Sequence, residues 1–451
     1  MIFNFIIYLK DEKNHAFSNR QRKTLVIEYF YKEAPMVVFC IDLKSFYASV
    51  ECVLRGLNPF ETNLVVADKE RGQGSIVLAV TPKLKSYGVS SRCRIYNLPK
   101  DLKIIYAKPR MKRYIEYATK IYSIYLKYVD KEDVHVYSID EAFLDLTSYM
   151  KYYNMAPKAI AAKVLEDIYQ ETGITASCGI GDNIFLSKVA LDILAKHSAD
   201  NIAYLDSDLF KEKIWNVEPL SQIWGIGSRM EKRLHKMGIK NLGQLAKYPL
   251  CSLEKEFGII GRELLEHAYG IEKTTVQEAR NYLPESKSFG HGQVLYEDYN
   301  YRDLEVILLE TVDEIATELV ARRLTCQLIG LAIGYSETAG GGGFSRQRKL
   351  PCKTNSRKVL VENYLKIYYE HIEDKPIRQI RVRVGILQNE DFVQTNLFND
   401  VKQDIKEHDL YQALGQIKEK YGKNAVHLAV SNIEKSTFIR RNNLIGGHNA
   451  E

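Results

Sequence analysis

At 451 residues the chain is longer than one hydrophobic core supports, and its length predicts about three or four domains. Lys and Arg number 63 against 57 Asp and Glu, so the formal charge of +6 is only mildly basic and any nucleic-acid surface has to come from local clustering. Seven cysteines, an odd number without a Cys-x-x-Cys pair, argue against a disulfide framework or a structural zinc site and suit a reducing cytoplasm.

Residues 1–9 are apolar but too short to cross a bilayer, and they lack both a preceding basic stretch and a small-residue cleavage site. Neither a signal peptide nor a membrane anchor is expected. Residues 1–34 read as an N-terminal extension, with Met36 as an alternative start. From Val37 strands and helices alternate. The apolar strand Val37-Val38-Phe39-Cys40-Ile41 ends on Asp42 and leads into a helix over 45–55. Short strands at 63–67 and 75–79 flank the turn Gly72-Gln73-Gly74, after which Thr81 is placed as N-cap and Pro82 as the first helical residue. Helix 112–128, a hairpin at Tyr137-Ser138-Ile139-Asp140-Glu141, helix 156–170, strand 176–180 and helix 185–196 complete a mixed sheet with helices on it. An Asp-Glu pair at a turn is ordinarily just solvated. Three carboxylates on neighbouring strand ends, however, make a cradle for a hard divalent cation, which takes oxygen ligands and leaves room for substrate phosphates.

Residues 209–278 read as short helices punctuated by glycines. Within them Trp224-Gly225-Ile226-Gly227-Ser228 has helix-hairpin-helix form, in which Gly225 and Gly227 expose backbone N–H groups to a phosphate. A linker at 279–287 carries Pro284 and charges of both signs. The order then reads strand 289–296, helix 303–324, strand 327–336, strand 344–350, helix 356–373, strand 379–387, which is βαββαβ and ferredoxin-like. Arg346, Arg348, Lys349, Lys353, Arg357 and Lys358 cluster after the glycine run 340–343. In the last strand Arg381 and Arg383 share a face with Gln379, while Ile380, Val382 and Val384 point to the other, as suits a sheet laid along a phosphate backbone. Residues 391–451 read as a polar, partly disordered tail containing Gln394-Thr395-Asn396-Leu397-Phe398.

Five motifs in this order resemble the Y-family translesion DNA polymerases. They are Asp42-Leu43-Lys44-Ser45-Phe46-Tyr47-Ala48-Ser49-Val50-Glu51, Asp140-Glu141-Ala142-Phe143-Leu144-Asp145, Ser177-Cys178-Gly179-Ile180-Gly181, a helix ending Leu194-Ala195-Lys196, and Gly225-Ile226-Gly227. The first is most similar to the UmuC-type branch, and the likeness runs from about Val37 to the C-terminus. It implies an α/β and α+β right-hand architecture: palm at 35–52 and 108–208, fingers at 53–107, a helix-hairpin-helix thumb at 209–278 and a little finger at 288–390.

The same resemblance implies error-prone, template-directed DNA synthesis for damage tolerance, with two Mg2+ ions and deoxynucleoside triphosphates. Asp42 and Asp140 would hold both ions, Glu141 the primer-side ion, and the Leu43 carbonyl would complete the other. Tyr47 matches the steric gate beneath the incoming sugar, Phe46 would pack beside the nucleotide, and Lys196, Thr81, Lys83 and Lys85 would meet the triphosphate. The family's fingers helix often carries a Tyr and an Arg where this chain has Pro82 and lysines, and point-charge Lys contacts are not equivalent to bidentate Arg contacts. Gly225, Gly227, Arg346, Arg348, Lys349, Arg381 and Arg383 would bind primer-template DNA. Gln394, Leu397 and Phe398 resemble a bacterial sliding-clamp peptide, and a UmuD-like accessory protein is a further implied partner; no membrane is. Competing readings are a catalytically weak DNA- and clamp-binding homologue and a palm-type nucleotide cyclase. Intact Asp42, Asp140 and Glu141 oppose the first, and the hairpin, the basic surface and the clamp peptide oppose the second.

Overall fold

The computed structural model describes residues 36–284, 287–390 and 401–451. Its first sheet orders five strands as Val134–Val136, Glu141–Asp145, Val38–Leu43, Ala176–Gly181 and Ile202–Leu205, antiparallel except for the last pair. The central strand is buried on both faces, which is why it reads as an unbroken apolar run until Asp42. On one face Phe39, Ile41 and Leu43 pack with Tyr114, Ile121 and Ile124 of helix Met111–Tyr125 and with Val164 and Ile168 of helix Pro157–Thr172. On the other, Val38, Cys40 and Phe143 pack with Ile184, Leu191 and Ala195.

That second face explains the glycines of the Ser177–Gly181 motif. A Cβ on Gly179 would lie 2.1 Å from the Ser187 carbonyl oxygen, and one on Gly181 would lie 2.4 Å from the Ser187 nitrogen. Only bare backbone lets the following helix sit this close to the strand. The helix opens with Asn183, whose side chain accepts from Leu186 N at 2.8 Å. It runs as α over Ile184–Val189, widens to π over Ala190–Leu194 and ends as 3-10 over Ala195–His197.

Beside this sheet lies a small body of three short strands, Ala79–Val80, Leu64–Val66 and Ile105–Ala107. The strand expected at 75–79 shortens to Ala79–Val80, with only a single bridge from Ile76 to Arg94 upstream of it. Helices Ser207–Ile214, Ser228–Lys236, Leu242–Ala246, Leu250–Phe257 and Ile259–Ala268 form a further body around Phe210, Leu234, Leu253 and Leu264. The expected linker is helical at its start: Val276–Asn281 is a helix with a Thr275/Glu278 capping box.

The βαββαβ unit forms as the sequence predicts. Its antiparallel sheet runs Gly343–Thr354, Leu324–Tyr335, Ile377–Gly385, Ser288–Tyr299, with helices Tyr301–Ala321 and Arg357–His371 packed on one side.

The C-terminal expectation needs correcting. In place of the polar, partly disordered tail expected over 391–451, residues 401–421 form a helix docked on this unit, with Tyr411 in its hydrophobic core, Leu414 against that core and polar contacts beside them. Buried Asp313 accepts from Arg357 at 2.9 Å and from Tyr411 at 2.6 Å. Glu407 accepts from Lys358 N and Ser356 Oγ, satisfying the N-terminus of helix Arg357–His371. Beyond it Phe438 is buried, and the hairpin Leu444–Ile445/His448–Asn449 reaches the first sheet's helices. There Lys112 N donates to Ala450 O at 3.0 Å and Asn449 Nδ2 to Pro109 O at 3.2 Å.

Candidate active site

Antiparallel register puts Asp42 directly opposite Glu141, and Leu43 N donates to Asp140 O at 2.9 Å, so all three expected residues lie on neighbouring strand ends at one end of the sheet. Burial raises Asp42 to a pKa of about 6; Lys196 opposes the shift, while Asp140 and Glu141 add to it. Asp140 is half-buried and accepts from Ser138 Oγ at 2.7 Å. Ser177 Oγ, cross-strand from Asp42, is buried without a hydrogen-bond partner.

The π-widened helix spans this edge. Lys188, 8% exposed, reaches Glu141 at 2.7 Å and Asp192 at 3.0 Å; Lys196 reaches Asp192 at 2.8 Å and Asp42 at 3.4 Å. Burial alone would lower the Lys188 and Lys196 ammoniums, but Cys40, Glu141 and Asp192 around the first and Asp42 and Asp192 around the second hold both above the ordinary value. Cys40 donates its thiol to the same Glu141 oxygen at 3.2 Å. Lys188 and Asp192 are not among the expected site residues, although Lys188, Asp192 and Lys196 recur at i, i+4, i+8 in the sequence.

These contacts modify the expected cradle. Among the described residues no three His, Cys, Asp or Glu side chains converge closely enough to hold an ion alone. Glu141 is drawn toward Lys188 instead. Asp42 and Asp140 still offer hard oxygens of the kind Mg2+ takes, since that ion usually binds one or two protein carboxylates and completes its shell with water and substrate phosphate.

Two further lysines face Asp42. Burial lowers both Lys44, hydrogen-bonded to Asn201 Oδ1, and Lys85; the Asp42 carboxylate opposes that shift and the Lys196 charge adds to it. Lys85 is thus brought to the site as expected, and Lys44 is an addition. Thr81 and Lys83 are not brought there. Thr81 is fully buried and its hydroxyl donates to Thr62 O at 2.7 Å and accepts from Leu64 N, while the Lys83 ammonium lies 5.2 Å from the Tyr87 ring. Thr81 does hold the N-cap position, but its side chain does no capping.

Tyr47 is half-buried beside Asp140 and stacks on Tyr114 at 4.4 Å, whereas Phe46 is 3% exposed and belongs to the core. Tyr114 OH donates to Glu51 at 2.8 Å, and buried Glu51 also accepts from Arg110 at 3.0 and 2.7 Å. Despite its burial, Glu51 is kept below the usual carboxylate range by these donors and Arg55. Asp145 accepts from Thr147 N on the outgoing strand, away from the cluster.

Gly225 has φ +89° and Gly227 precedes helix Ser228–Lys236; a Cβ on either would meet nothing within 4 Å, so the hairpin is open to its surroundings. In the second sheet Lys349, Arg381 and Arg383 fall on the face away from the helices. Gly330 and Gly292 leave room for the arginines to lie flat, since a Cβ there would come within 2.6 Å of Arg383 Nε and 2.7 Å of Arg381 Cγ. The expected basic cluster therefore divides. Register puts Arg346 and Arg348 on the helix side, where Arg348 pairs with Glu370 at 2.6 Å, and Arg357 is committed to Asp313. Gln394, Leu397 and Phe398 lie outside the described residues.

The impB/mucB/samB family model matches residues 41–192 and its C-terminal domain model matches 286–397. A thumb-domain model of DNA polymerase-iota matches 221–272. A Bacillus subtilis (strain 168) protein provisionally named UV-damage repair protein UvrX is 36% identical over 91% of this chain and 97% of its own length. The chain belongs to the impB/mucB/samB family, the Y family of DNA polymerases. A second Y-family relative, DNA polymerase IV 2 of the same strain, is 33% identical over 91% of this chain and 98% of its own. The solved Y-family DNA polymerase chimera of Dbh and Dpo4 shares the fold, with TM-score 0.63 and 22% identity over 78% of this chain and 99% of that one.

Proposed function

We propose that this Y-family member extends a primer on damaged templates, with the primer 3′-hydroxyl attacking the α-phosphorus of a deoxynucleoside triphosphate and expelling pyrophosphate. The observation that carries this reading is the placing of Asp42, Asp140 and Glu141 on neighbouring strand ends, with Lys196 3.4 Å from Asp42 and Lys44 and Lys85 within its electrostatic reach. Two bound Mg2+ ions would supply charge neutralisation at the attacking and leaving oxygens. Asp42, Asp140, Glu141 and the Leu43 carbonyl would hold them, and the lysines would anchor the triphosphate. Tyr47, braced by Tyr114, would leave no room for a 2′-oxygen.

In this reading the first sheet with its helices is the palm (35–52 and 108–208), the three-stranded body the fingers (53–107), the helical body the thumb (209–278) and the βαββαβ unit the little finger (288–390). Gly225 and Gly227 would take one stretch of DNA backbone and Lys349, Arg381 and Arg383 another. The small three-stranded body supports an open, error-tolerant site. Clamp binding through Gln394, Leu397 and Phe398, a UmuD-like accessory partner, an SOS context and a cytoplasmic location complete the reading; the seven free cysteines support the last. Among the described residues no helix is long and apolar enough to cross a membrane.

Primer extension with Mg2+ tests the chemistry. Asp140→Ala or Glu141→Ala should lower the rate about a thousandfold, the equivalent of ~4 kcal/mol of transition-state stabilisation, while leaving primer-template affinity nearly unchanged. Extension by either variant at the parental rate would refute the assignment.

A further inference from the structure

The mechanism above makes no use of Lys188, the most enclosed lysine at the site. Its ammonium lies 2.7 Å from Glu141 Oε1 and 3.0 Å from Asp192, with the side chain 8% exposed and Glu141 9%. Cys40 Sγ sits at 3.2 Å from the same Oε1. Gly179 and Gly181 let the helix that carries Lys188 sit close against the strand, which brings the ammonium to the strand end where Glu141 lies. A buried carboxylate without a partner is costly, and removing one member of a buried ion pair leaves that cost exposed.

We propose that Lys188 is a built-in place-holder cation. In the ion-free enzyme it satisfies Glu141, and a divalent ion arriving at the sheet edge has to compete with it for that carboxylate. Asp192, shared by Lys188 and Lys196, is the alternative partner that takes up the Lys188 ammonium when Glu141 turns to the ion. One helix would thereby set how readily Glu141 is released to an ion. Lys188 is a positioning residue, acting through Glu141. The inference rests on the reading of Glu141 as an ion ligand.

Titration of the full-length protein with Mn2+ alone, followed by electron paramagnetic resonance of the free ion, tests it without any turnover. Lys188→Met should tighten the half-saturation point about tenfold, as loss of one competing short-range charge would. In a Glu141→Gln background the same substitution should change it less than twofold, because the carboxylate competed for is gone. Lys188→Arg, which keeps the charge, should stay near the parent. An equal tightening in both backgrounds would show only a long-range charge effect and overturn the proposal, as would unchanged or weakened binding in Lys188→Met. Should Lys188→Met lack a cooperative melt, Asp192→Asn replaces it. By removing the alternative partner it should weaken Mn2+ binding in the parent and have less effect in Glu141→Gln, and an equal effect in both would overturn the proposal. Failure of the underlying reading is seen separately, as Glu141→Gln alone leaving Mn2+ affinity unchanged.

Discussion

Asp42 carries a stability cost that its role would explain. Its carboxyl is shifted from 3.8 to about 6, first by burial and then by Asp140 and Glu141, with Lys196 opposing. A raised carboxyl binds its proton more tightly in the folded protein, so the cost is absent below pH ~4, grows through pH 6 and is full above it. Without divalent ions Asp42→Asn should therefore stabilise the fold by about 2–3 kcal/mol at pH 8 and by close to nothing at pH 4. Urea unfolding at the two pH values measures this; an equal effect at both would mean the carboxylate is not strained. Tyr47 invites a second test. Tyr47→Ala should raise ribonucleotide relative to deoxyribonucleotide incorporation in single-nucleotide kinetics. Tyr114→Leu, which removes the stacked brace, should do so more weakly. Unchanged discrimination in Tyr47→Ala would return that ring to a packing role.

Among elements, the second sheet shows how strand register decides which cations can act together. Arg381 and Arg383 lie over glycines on the open face, whereas Arg348 sits among helices with Glu370. Arg381→Gln and Arg383→Gln should each weaken primer-template binding and lower the slope of log affinity against log salt by about one. Arg348→Gln should leave that slope unchanged, and a fall as large as for the other two would mean both faces meet DNA.

The same contrast shows what sequence could reveal. The two-residue period places Arg381, Arg383 and Val382 correctly, and the apolar run ending on Asp42 locates the site. The i, i+4, i+8 spacing puts Lys188, Asp192 and Lys196 on one helix face, but the other partners come from distant segments, so nothing local pairs Lys188 with Glu141 or Tyr411 with Asp313. Helix 401–421 went unseen for a related reason. Its Leu410 and Ile417 face outward, which blurs the apolar stripe, while Tyr411 and Leu414 pack on the core and Glu407 and the Tyr411 hydroxyl add polar contacts.

For the whole molecule, this docking bears on recruitment. Glu390, which accepts from Asn355, and the helix opening at Val401 are both held on the βαββαβ unit, and the expected clamp peptide falls between them in sequence. Replacing Gln394, Leu397 and Phe398 together by alanine should abolish stimulation by a loaded bacterial clamp while sparing clamp-free extension, since tethering acts through effective concentration. Clamp binding equal to the parent's in titration would make the peptide incidental.

The closing hairpin has a mechanical consequence. A body joined to its neighbour at one point is a ball joint, free to turn about any axis. Among the described residues the βαββαβ unit is held by the covalent chain entering at Lys287, by the Arg71 guanidinium 5.3 Å from the Tyr296 ring and, through residues 444–451, by the seam at Pro109 and Lys112. Each added point takes away freedom to turn, so the arginine-bearing face is braced against rotation until the Arg71–Tyr296 contact and the hydrogen bonds of Asn449 and Ala450 let go.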